Sequence, residues 1–172
     1  VGQEMGIADP RRTVGAVWFD MDADGDLDVF VANQNGDLNG LFRNDTTRFV
    51  DVAGPLHMDA AGRAQTSGSN GPSVADFDRD GDLDLFVTSY VDATATKNPP
   101  CADARLILRV YCHPLVFNSL ASVLYRNDGT GRFTDVSLTA GIAAHKSNGL
   151  GVVVSDVDED GWPDIFVAND GL

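Results

Sequence analysis

Residues 76–87 of this chain read Asp76-Phe77-Asp78-Arg79-Asp80-Gly81-Asp82-Leu83-Asp84-Leu85-Phe86-Val87, a run of alternating acids that passes directly into an apolar segment. The same pattern, D-x-D-x-D-G-x-x-D, begins again at Asp20 and at Asp156. A glycine stands five positions before the first acid in every copy, at Gly15, Gly71 and Gly151. Three copies with the same acids, glycines and following apolar segments are an internal repeat.

The repeated acids require a positive partner. Side chains at alternate loop positions turn to the same side, so the carboxylates at positions 1, 3 and 5 converge. Two like charges 4 Å apart repel by about 4 kcal/mol at an effective dielectric near 20. Calcium resolves this repulsion, because it binds oxygen ligands and accepts an irregular shell of about six to eight of them. The glycine at position 6 permits the sharp turn that such a loop needs.

We therefore predict three calcium sites, with side-chain ligands at loop positions 1, 3, 5 and 9 and a main-chain carbonyl at position 7. A carbonyl ligand at position 7 explains why tryptophan is accepted there in the third copy. The predicted ligands are Asp20, Asp22, Asp24, Asp26 and Asp28 in the first loop, Asp76, Asp78, Asp80, Asp82 and Asp84 in the second, and Asp156, Asp158, Asp160, Trp162 and Asp164 in the third.

Two other interpretations of the loops are weaker. An EF-hand shares the opening D-x-D-x-D-G but needs a bidentate glutamate at position 12 and flanking helices. Position 12 is a valine here in each copy, inside a strand-like run (Val31, Val87 and Val167). Solvated Asp-Gly turns would explain one copy, but they do not explain three copies that share every feature.

The composition limits the functional class. The formal net charge of the 172 residues is −14, which argues against nucleic acid and against an anionic membrane surface as partners. No apolar run approaches the roughly 18 residues that a membrane span requires. Because the chain begins at Val1 without a methionine or a signal peptide, we expect a processed product or a fragment.

The predicted metal and the cysteines both indicate an oxidising, calcium-rich compartment. Calcium sites of this kind are useful where the ion is plentiful, so we expect a secreted or cell-surface protein, or a periplasmic one in a bacterium. An even number of cysteines in an exported chain favours a disulfide between Cys101 and Cys112. The alternative is two buried free thiols. Asn44-Asp45-Thr46 is an N-glycosylation sequon, which matters only in a glycosylating host.

The apolar segments define a four-stranded unit. Val14–Phe19 and Leu27–Ala32 flank the first loop and are almost continuously apolar, which predicts strands covered on both faces. A hairpin follows at residues 40–52. The hairpin recurs at residues 123–136, with a turn one residue longer. The repeating unit is therefore strand, metal loop, strand and hairpin.

Units of this kind predict an all-β chain built of β-propeller blades, since each sheet buries its faces against its neighbours. We expect a single partial propeller over residues 1–172 with about two and a half blades: residues 14–53, residues 71–137 and residues 149–172. Blade two contains an insertion at about residues 92–121 that includes both cysteines. A short helix is an option inside it, within Asp103–Val110, on Ala104, Leu106, Ile107 and Val110.

The motifs carry a family resemblance over about residues 14–172. The stretch 76–87 resembles the FG-GAP or VCBS-type repeat that also occurs in integrin α-chain propellers. Its combination with further motifs resembles the bacterial ASPIC/UnbV group, which is cartilage acidic protein-like. Those motifs are Leu124-Tyr125-Arg126-Asn127-Asp128-Gly129-Thr130-Gly131-Arg132-Phe133-Thr134-Asp135-Val136, Ala140-Gly141-Ile142, Gly149-Leu150-Gly151-Val152-Val153-Val154 and Asp160-Gly161-Trp162-Pro163-Asp164-Ile165-Phe166-Val167-Ala168-Asn169-Asp170. The resemblance implies a secreted calcium-binding propeller associated with adhesion or extracellular assembly.

No catalytic constellation is visible in the sequence. His57, His113 and His145 share no close spacing with one another or with a cysteine, so we read them as surface or loop residues. There is no P-loop and no G-x-S-x-G motif. Trp18 and Trp162 adjoin metal-loop positions, and packing between blades explains them more simply than stacking on a sugar.

The leading hypothesis is a non-enzymatic, calcium-stabilised module for adhesion, protein interaction or assembly. The alternatives are the propeller domain of a secreted dehydratase- or lyase-like carbohydrate-active enzyme and a carbohydrate-binding, lectin-like module. The chain stops at Leu172, where the other units begin their hairpin. We therefore expect the partner to be the remainder of the propeller or a neighbouring chain, with a cell-surface protein or glycan as the further option.

Overall fold

The regular structure of this chain consists almost entirely of β-strands. The computed structural model describes residues 2–59, 68–94, 96–103 and 108–171. Two three-residue 3-10 helices, Pro114–Val116 and Ile142–Ala144, are the helices of this part of the chain. Neither is long or apolar enough to cross a membrane. The predicted all-β class is confirmed.

Fourteen strands are formed within the described ranges. In chain order they are β1 (Thr13–Phe19), β2 (Asp28–Asn33), β3 (Gly40–Asn44), β4 (Phe49–Asp51), β5 (Ser69–Ala75), β6 (Asp84–Ser89), β7 (Ala102–Asp103), β8 (Leu108–Arg109), β9 (Leu120–Ala121), β10 (Val123–Asn127), β11 (Phe133–Asp135), β12 (Lys146–Ser147), β13 (Gly149–Ser155) and β14 (Asp164–Asn169).

Two four-stranded antiparallel sheets have the same internal order. The first is β1-β2-β3-β4 and the second is β5-β6-β10-β11. Strands β13 and β14 form a pair that matches the first two strands of either sheet. The remaining strands form two short pairs, β7 with β8 and β9 with β12.

The register of the first strand pair is the same in all three sheets. The residue before loop position 1 lies opposite loop position 9, as in Phe19 with Asp28, Ala75 with Asp84 and Ser155 with Asp164. Strand pairing therefore ends where each acidic loop begins. The shared register places the three loops at the same end of their respective strand pairs.

The main apolar core includes side chains from both four-stranded sheets. Phe30 and Leu41 of the first sheet and Leu85 of the second are fully buried in one cluster. Every residue of β2 is buried, as its apolar run predicted, and every residue of β6 is buried as well. The same prediction is wrong for β1, whose Trp18 side chain is half exposed. Strand β1 is an edge strand of its sheet, and its apolar residues alternate between covered and open positions.

The N-terminal segment covers part of the other face of the first sheet. Ile7 packs with Phe49 against a small cluster of Val29, Val31 and Phe42. The amide of Phe49 donates to the carbonyl of Met5 at 2.8 Å, which attaches the segment to β4. Trp18 packs edge-on against Phe49 of the same sheet, with ring centroids 6.0 Å apart.

The recurrent glycine lies where neighbouring units approach most closely. A Cβ atom at Gly15 would stand 2.3 Å from the carbonyl oxygen of Asn70 in β5. A Cβ atom at Gly71 would stand 2.7 Å from the carbonyl oxygen of Leu150 in β13. Gly151 has nothing within 4 Å of the same position. The first strand of one unit therefore rests against the first strand of the next, and only glycine leaves room for this contact.

The insertion is fastened at its base and by a disulfide. Asp92 accepts hydrogen bonds from the main-chain and side-chain nitrogens of Asn118, at 2.9 and 2.8 Å, and a further one from Lys97. The predicted bridge between Cys101 and Cys112 is present. Between them, β7 pairs with β8, so the helix option is wrong for the described residues at its ends. Ala104, Leu106 and Ile107 lie outside the described residues.

The glycine contact yields a matched pair of substitutions. We expect Gly71→Ala to lower the free energy of unfolding by about 1–3 kcal/mol, because the new methyl group would overlap a main-chain oxygen. Gly151→Ala should be neutral or slightly stabilising, because it meets open space and restricts the unfolded chain. Urea unfolding followed by circular dichroism measures both. Equal effects of the two substitutions would contradict the close approach.

Candidate metal centres

Each acidic loop gathers the carboxylates of positions 1, 3 and 9. One oxygen from each of the three side chains lies within 4.8 Å of the others in every loop. The three groups are Asp20, Asp22 and Asp28; Asp76, Asp78 and Asp84; and Asp156, Asp158 and Asp164. The three groups are built alike, although the third is exposed and the first two are partly buried.

The carboxylate at position 1 shapes the loop that contains it. In the first loop, Asp20 accepts hydrogen bonds from the main-chain nitrogens of Asp24 and Gly25, at 3.2 and 2.9 Å. Both other loops contain the same pair of bonds. The glycine at position 6 has a positive φ in each loop, which fits the predicted sharp turn.

Position 4 is a second left-handed position that the sequence did not reveal. Ala23, Arg79 and Glu159 have φ values of 59°, 62° and 61°. Residues other than glycine adopt this conformation at a cost, usually where the surrounding structure imposes it. Because the side chains at position 4 differ in every respect, no sequence signal indicated the shared backbone shape.

The carboxylate at position 9 anchors the loop to the sheet. Asp28 is fully buried and accepts hydrogen bonds from the main-chain nitrogens of Met21, at 2.8 Å, and Asn44, at 2.7 Å. Asp84 makes the equivalent bonds with Phe77, at 2.9 Å, and Asn127, at 2.8 Å. Burial raises the pKa of both carboxyls, and the amide hydrogen bonds oppose this shift.

Position 3 supplies an oxygen that lacks a partner. The Oδ1 atom of Asp22 is buried and accepts no hydrogen bond from the described residues. Burial, followed by the charges of Asp24 and Asp20, raises the pKa of Asp22. A buried acceptor without a donor costs about 1–3 kcal/mol. An oxygen-binding cation would satisfy this atom, so the residues present fit a hard divalent metal.

Positions 5 and 7 make hydrogen bonds within the loop and to the hairpin. The carboxylate of Asp24 accepts the main-chain N–H of Asp26 at 2.9 Å, and position 5 does the same in the other loops. Position 5 does not join the three-carboxylate group. The side chain of Asp26 accepts a hydrogen bond from Thr46 in the hairpin turn at 2.8 Å. Whether position 5 and the carbonyl of position 7 bind a cation remains a prediction.

The histidines, Trp162 and Asn44, which were also singled out in the sequence, do not belong to the three carboxylate groups. No described histidine joins a cluster of metal-binding side chains. His113 caps the first 3-10 helix, accepting the N–H of Leu115 at 3.3 Å. The guanidinium carbon of Arg79 lies over the Trp162 ring, 5.0 Å from the ring centroid. This contact joins the second loop to the third. The side-chain nitrogen of Asn44, which a glycan would occupy, donates to the carbonyl of Leu27 at 3.3 Å.

The loops and hairpins match a known repeat family. The family model described as FG-GAP-like repeat matches residues 20–87 and 115–167. The chain belongs to the FG-GAP-like repeat family. The interval between the two matched segments covers most of the insertion. The first match runs from the start of the first acidic loop into β6, and the second ends within β14.

Two curated relatives match over nearly the whole chain. Cartilage acidic protein 1 of mouse and of human are each 25% identical to it over 202 residues, which cover 92% of this chain. The chain spans only 31% and 30% of the length of these relatives. This similarity agrees with the cartilage acidic protein-like group that the motifs resemble.

Substitutions at positions 9 and 3 distinguish an acid that anchors the loop by hydrogen bonds from an acid whose oxygen is available to a cation. With chelator present, Asp84→Asn should lower the free energy of unfolding by about 1–3 kcal/mol, because an amide group would face an N–H donor. Asp78→Asn under the same conditions should be neutral or stabilising, because it only removes charge from an acidic loop. Thermal unfolding in chelator measures both. A larger loss in Asp78→Asn than in Asp84→Asn would contradict these assignments.

Proposed function

We propose that this chain is an extracellular, calcium-stabilised β-propeller module that acts by binding other proteins in adhesion or assembly. The observation that carries the proposal is the recurrence of the same arrangement of three carboxylates in three successive units. A single group of acids is common on protein surfaces. Three groups that share register, turn and hydrogen bonds indicate that each unit is shaped around the same ligand.

The donor set favours calcium. All side-chain donors are carboxylate oxygens, which suit hard cations rather than zinc or copper. Positions 1, 3 and 9 would hold the ion, and position 5 and the carbonyl of position 7 would complete its shell. A bound ion would cancel the repulsion between the acids and satisfy the unpaired oxygen of Asp22. Its role in this proposal is structural.

The sheet order supports blades of a propeller. We assign residues 14–53 to the first blade, residues 71–137 to the second with its insertion, and residues 149–172 to the first half of a third. Strand β14 has no partner beyond β13 among the described residues, whereas the equivalent strands β2 and β6 each have one. A further hairpin of the same kind, from this polypeptide or another chain, would complete that sheet.

The disulfide is consistent with a location outside the cytoplasm. The bridge between Cys101 and Cys112 persists in oxidising surroundings, such as the cell exterior or a bacterial periplasm. Calcium is also plentiful outside the cell, so the redox state and the proposed ion agree. Both observations favour a secreted or surface-exposed module over an intracellular one.

Calcium removal tests the proposal directly. Since calcium would bind the folded loops and not the unfolded chain, millimolar calcium should raise the melting temperature over that in chelator. At an ion concentration one hundred times the Kd, each site would add about 2.7 kcal/mol. Magnesium at the same concentration is the control for general ionic effects. An unchanged melting temperature in calcium would refute the proposal.

A second candidate function rests on a cleft at the other end of the sheets. The cleft has a volume of about 550 Å³ and is lined by residues that follow β2 and β6, whereas the acidic loops precede these strands. Its described lining includes the amide side chains of Gln34, Asn35 and Asn98 and the fully exposed ring of Tyr111. None of the described lining residues is charged, in a chain of net charge −14.

This chemistry suits a neutral carbohydrate. Amide groups donate and accept hydrogen bonds and so match sugar hydroxyls, while an aromatic ring packs against the apolar face of a pyranose. The described lining contains no histidine or carboxylate to transfer a proton. We therefore favour carbohydrate binding over dehydratase- or lyase-type catalysis as the second candidate.

Saturation-transfer NMR with methyl glycosides of glucose, galactose and mannose tests the cleft. We expect transfer to at least one glycoside, and a loss of that signal in Tyr111→Ala because the stacking surface is removed. Phe166→Ala is the matched control, since Phe166 is also an exposed aromatic residue but lies on β14, away from the cleft. Equal signals in Tyr111→Ala and the parent chain would exclude this site.

A further inference from the structure

Asn127 joins two of the proposed metal sites through its side chain. This residue ends β10, and its side chain is almost completely buried. Its Nδ2 atom donates to the carbonyl of Met21 in the first loop, at 2.8 Å, and to the carbonyl of Leu83 in the second, at 3.2 Å. Its Oδ1 atom accepts the N–H groups of Asp128 and Gly129, at 2.9 and 3.2 Å. The amide group is therefore fully used.

The two loop contacts of Asn127 reach the carboxylate groups themselves. Met21 stands between positions 1 and 3 of the first loop, and its main-chain nitrogen donates to Asp28 at position 9. The main-chain nitrogen of Asn127 donates to Asp84 at position 9 of the second loop. A continuous series of hydrogen bonds thus runs from Asp28 through Met21 and Asn127 to Asp84.

Packing contacts on both sides of this series join the hairpin to the first loop. The side chain of Met21 is buried in the main core, where it belongs to the same cluster as Phe133 of the hairpin. A Cβ atom at Gly131 in the hairpin turn would stand 3.2 Å from the Cβ atom of Asp22. Because the turn and the first loop are in close contact, movement of one displaces the other.

Asn44 provides a natural comparison within the same chain. It occupies the equivalent place at the end of β3, and it makes the equivalent bonds to its own loop, to Asp28 and to the carbonyl of Leu27. Its side chain makes no hydrogen bond to a second acidic loop in the described part of the chain. The bridge is therefore a property of the contact between units and not of the hairpin alone.

We propose that Asn127 couples the first and second metal loops, so that a cation bound in one loop increases the affinity of the other. The inference rests on the proposed function, because it requires that both loops bind a cation. Binding at the second loop would fix Asp84 and, through Asn127, hold the peptide that carries Asp22 in place. By linkage, binding at the first loop favours the second by the same factor.

A double-mutant cycle read by NMR tests the coupling at each site. The main-chain N–H groups of Gly25, Gly81 and Gly161 each donate to position 1 of their own loop and therefore report cation binding in that loop. Calcium would be added stepwise to the chain while these three signals are followed. Asp78→Ala removes the second site, and we expect it to raise the calcium Kd reported by Gly25 about five-fold or more.

In the Asn127→Ala background, the same Asp78→Ala change should alter the Kd reported by Gly25 less than two-fold. Asn44→Ala is the matched control: it should weaken the first site but leave the five-fold effect of Asp78→Ala in place. If the alanine variant does not fold, Asn127→Ser replaces it. The serine hydroxyl can still accept the N–H of the turn, but the serine side chain is too short to reach the carbonyl of Met21.

The outcomes distinguish this inference from the function on which it rests. No calcium response at any of the three glycines in the parent chain would refute the calcium proposal and the coupling together. A calcium response with no effect of Asp78→Ala on Gly25 would refute the coupling alone. An undiminished effect of Asp78→Ala in the Asn127 variants would likewise show that another contact carries the coupling.

Discussion

In each complete unit, a buried aspartate at loop position 9 accepts one amide hydrogen bond from its own loop and another from the end of the hairpin. A carboxylate in this setting loses hydration, and these amide donors compensate for that loss. The loop cannot open and the hairpin cannot shift without leaving the carboxylate unpaired. This one interaction therefore sets the position of the loop, the strand that follows it and the third strand of the sheet.

The units then combine through two kinds of close contact. Near the ends of the strands that lie away from the acidic loops, a glycine of one unit's first strand lies against a main-chain oxygen of the next unit. At the acidic end, the hairpin of the second unit contacts the first loop through Asn127 and its turn. Neighbouring units are thus held at both ends, and the apolar core fills the space between the sheets.

The molecule consequently presents two chemically different ends. One carries three acidic groups close to one another, with Arg79 of the second loop lying over Trp162 of the third. The other carries a neutral cleft beside an insertion fastened by a disulfide and by Asp92. Partial burial raises the pKa of Asp92, but the hydrogen bonds from Lys97 and Asn118 outweigh it and lower that pKa to about 2. The hydrogen bonds at the base of the insertion are therefore made to a carboxylate whose charged form they favour.

Much of a single unit could be predicted from the sequence because its determinants are local. The spacing of acids and glycine within nine residues defines the loop, and the apolar segments and turn residues on either side define the strands. The disulfide also followed from composition, because its two cysteines are close together in the chain. Asn44 and Asn127 stand at the same place in the two hairpins, which indicated a shared structural role. The sequence did not show which groups they contact.

The relations between units were decided by the tertiary structure. Asn127 and Met21 are 106 residues apart, and no local pattern indicates that their groups meet. The glycine five residues before each loop was visible as a repeat, but the close approach that requires it depends on how two sheets pack. Asp22 and Asp24 are the same residue type in the same loop, yet Asp22 has a buried oxygen without a partner and Asp24 accepts a main-chain N–H. Burial and backbone shape determine this difference, and neither could be predicted from the sequence. Local spacing determined which residues form each unit, and long-range packing determined which of their atoms are in contact.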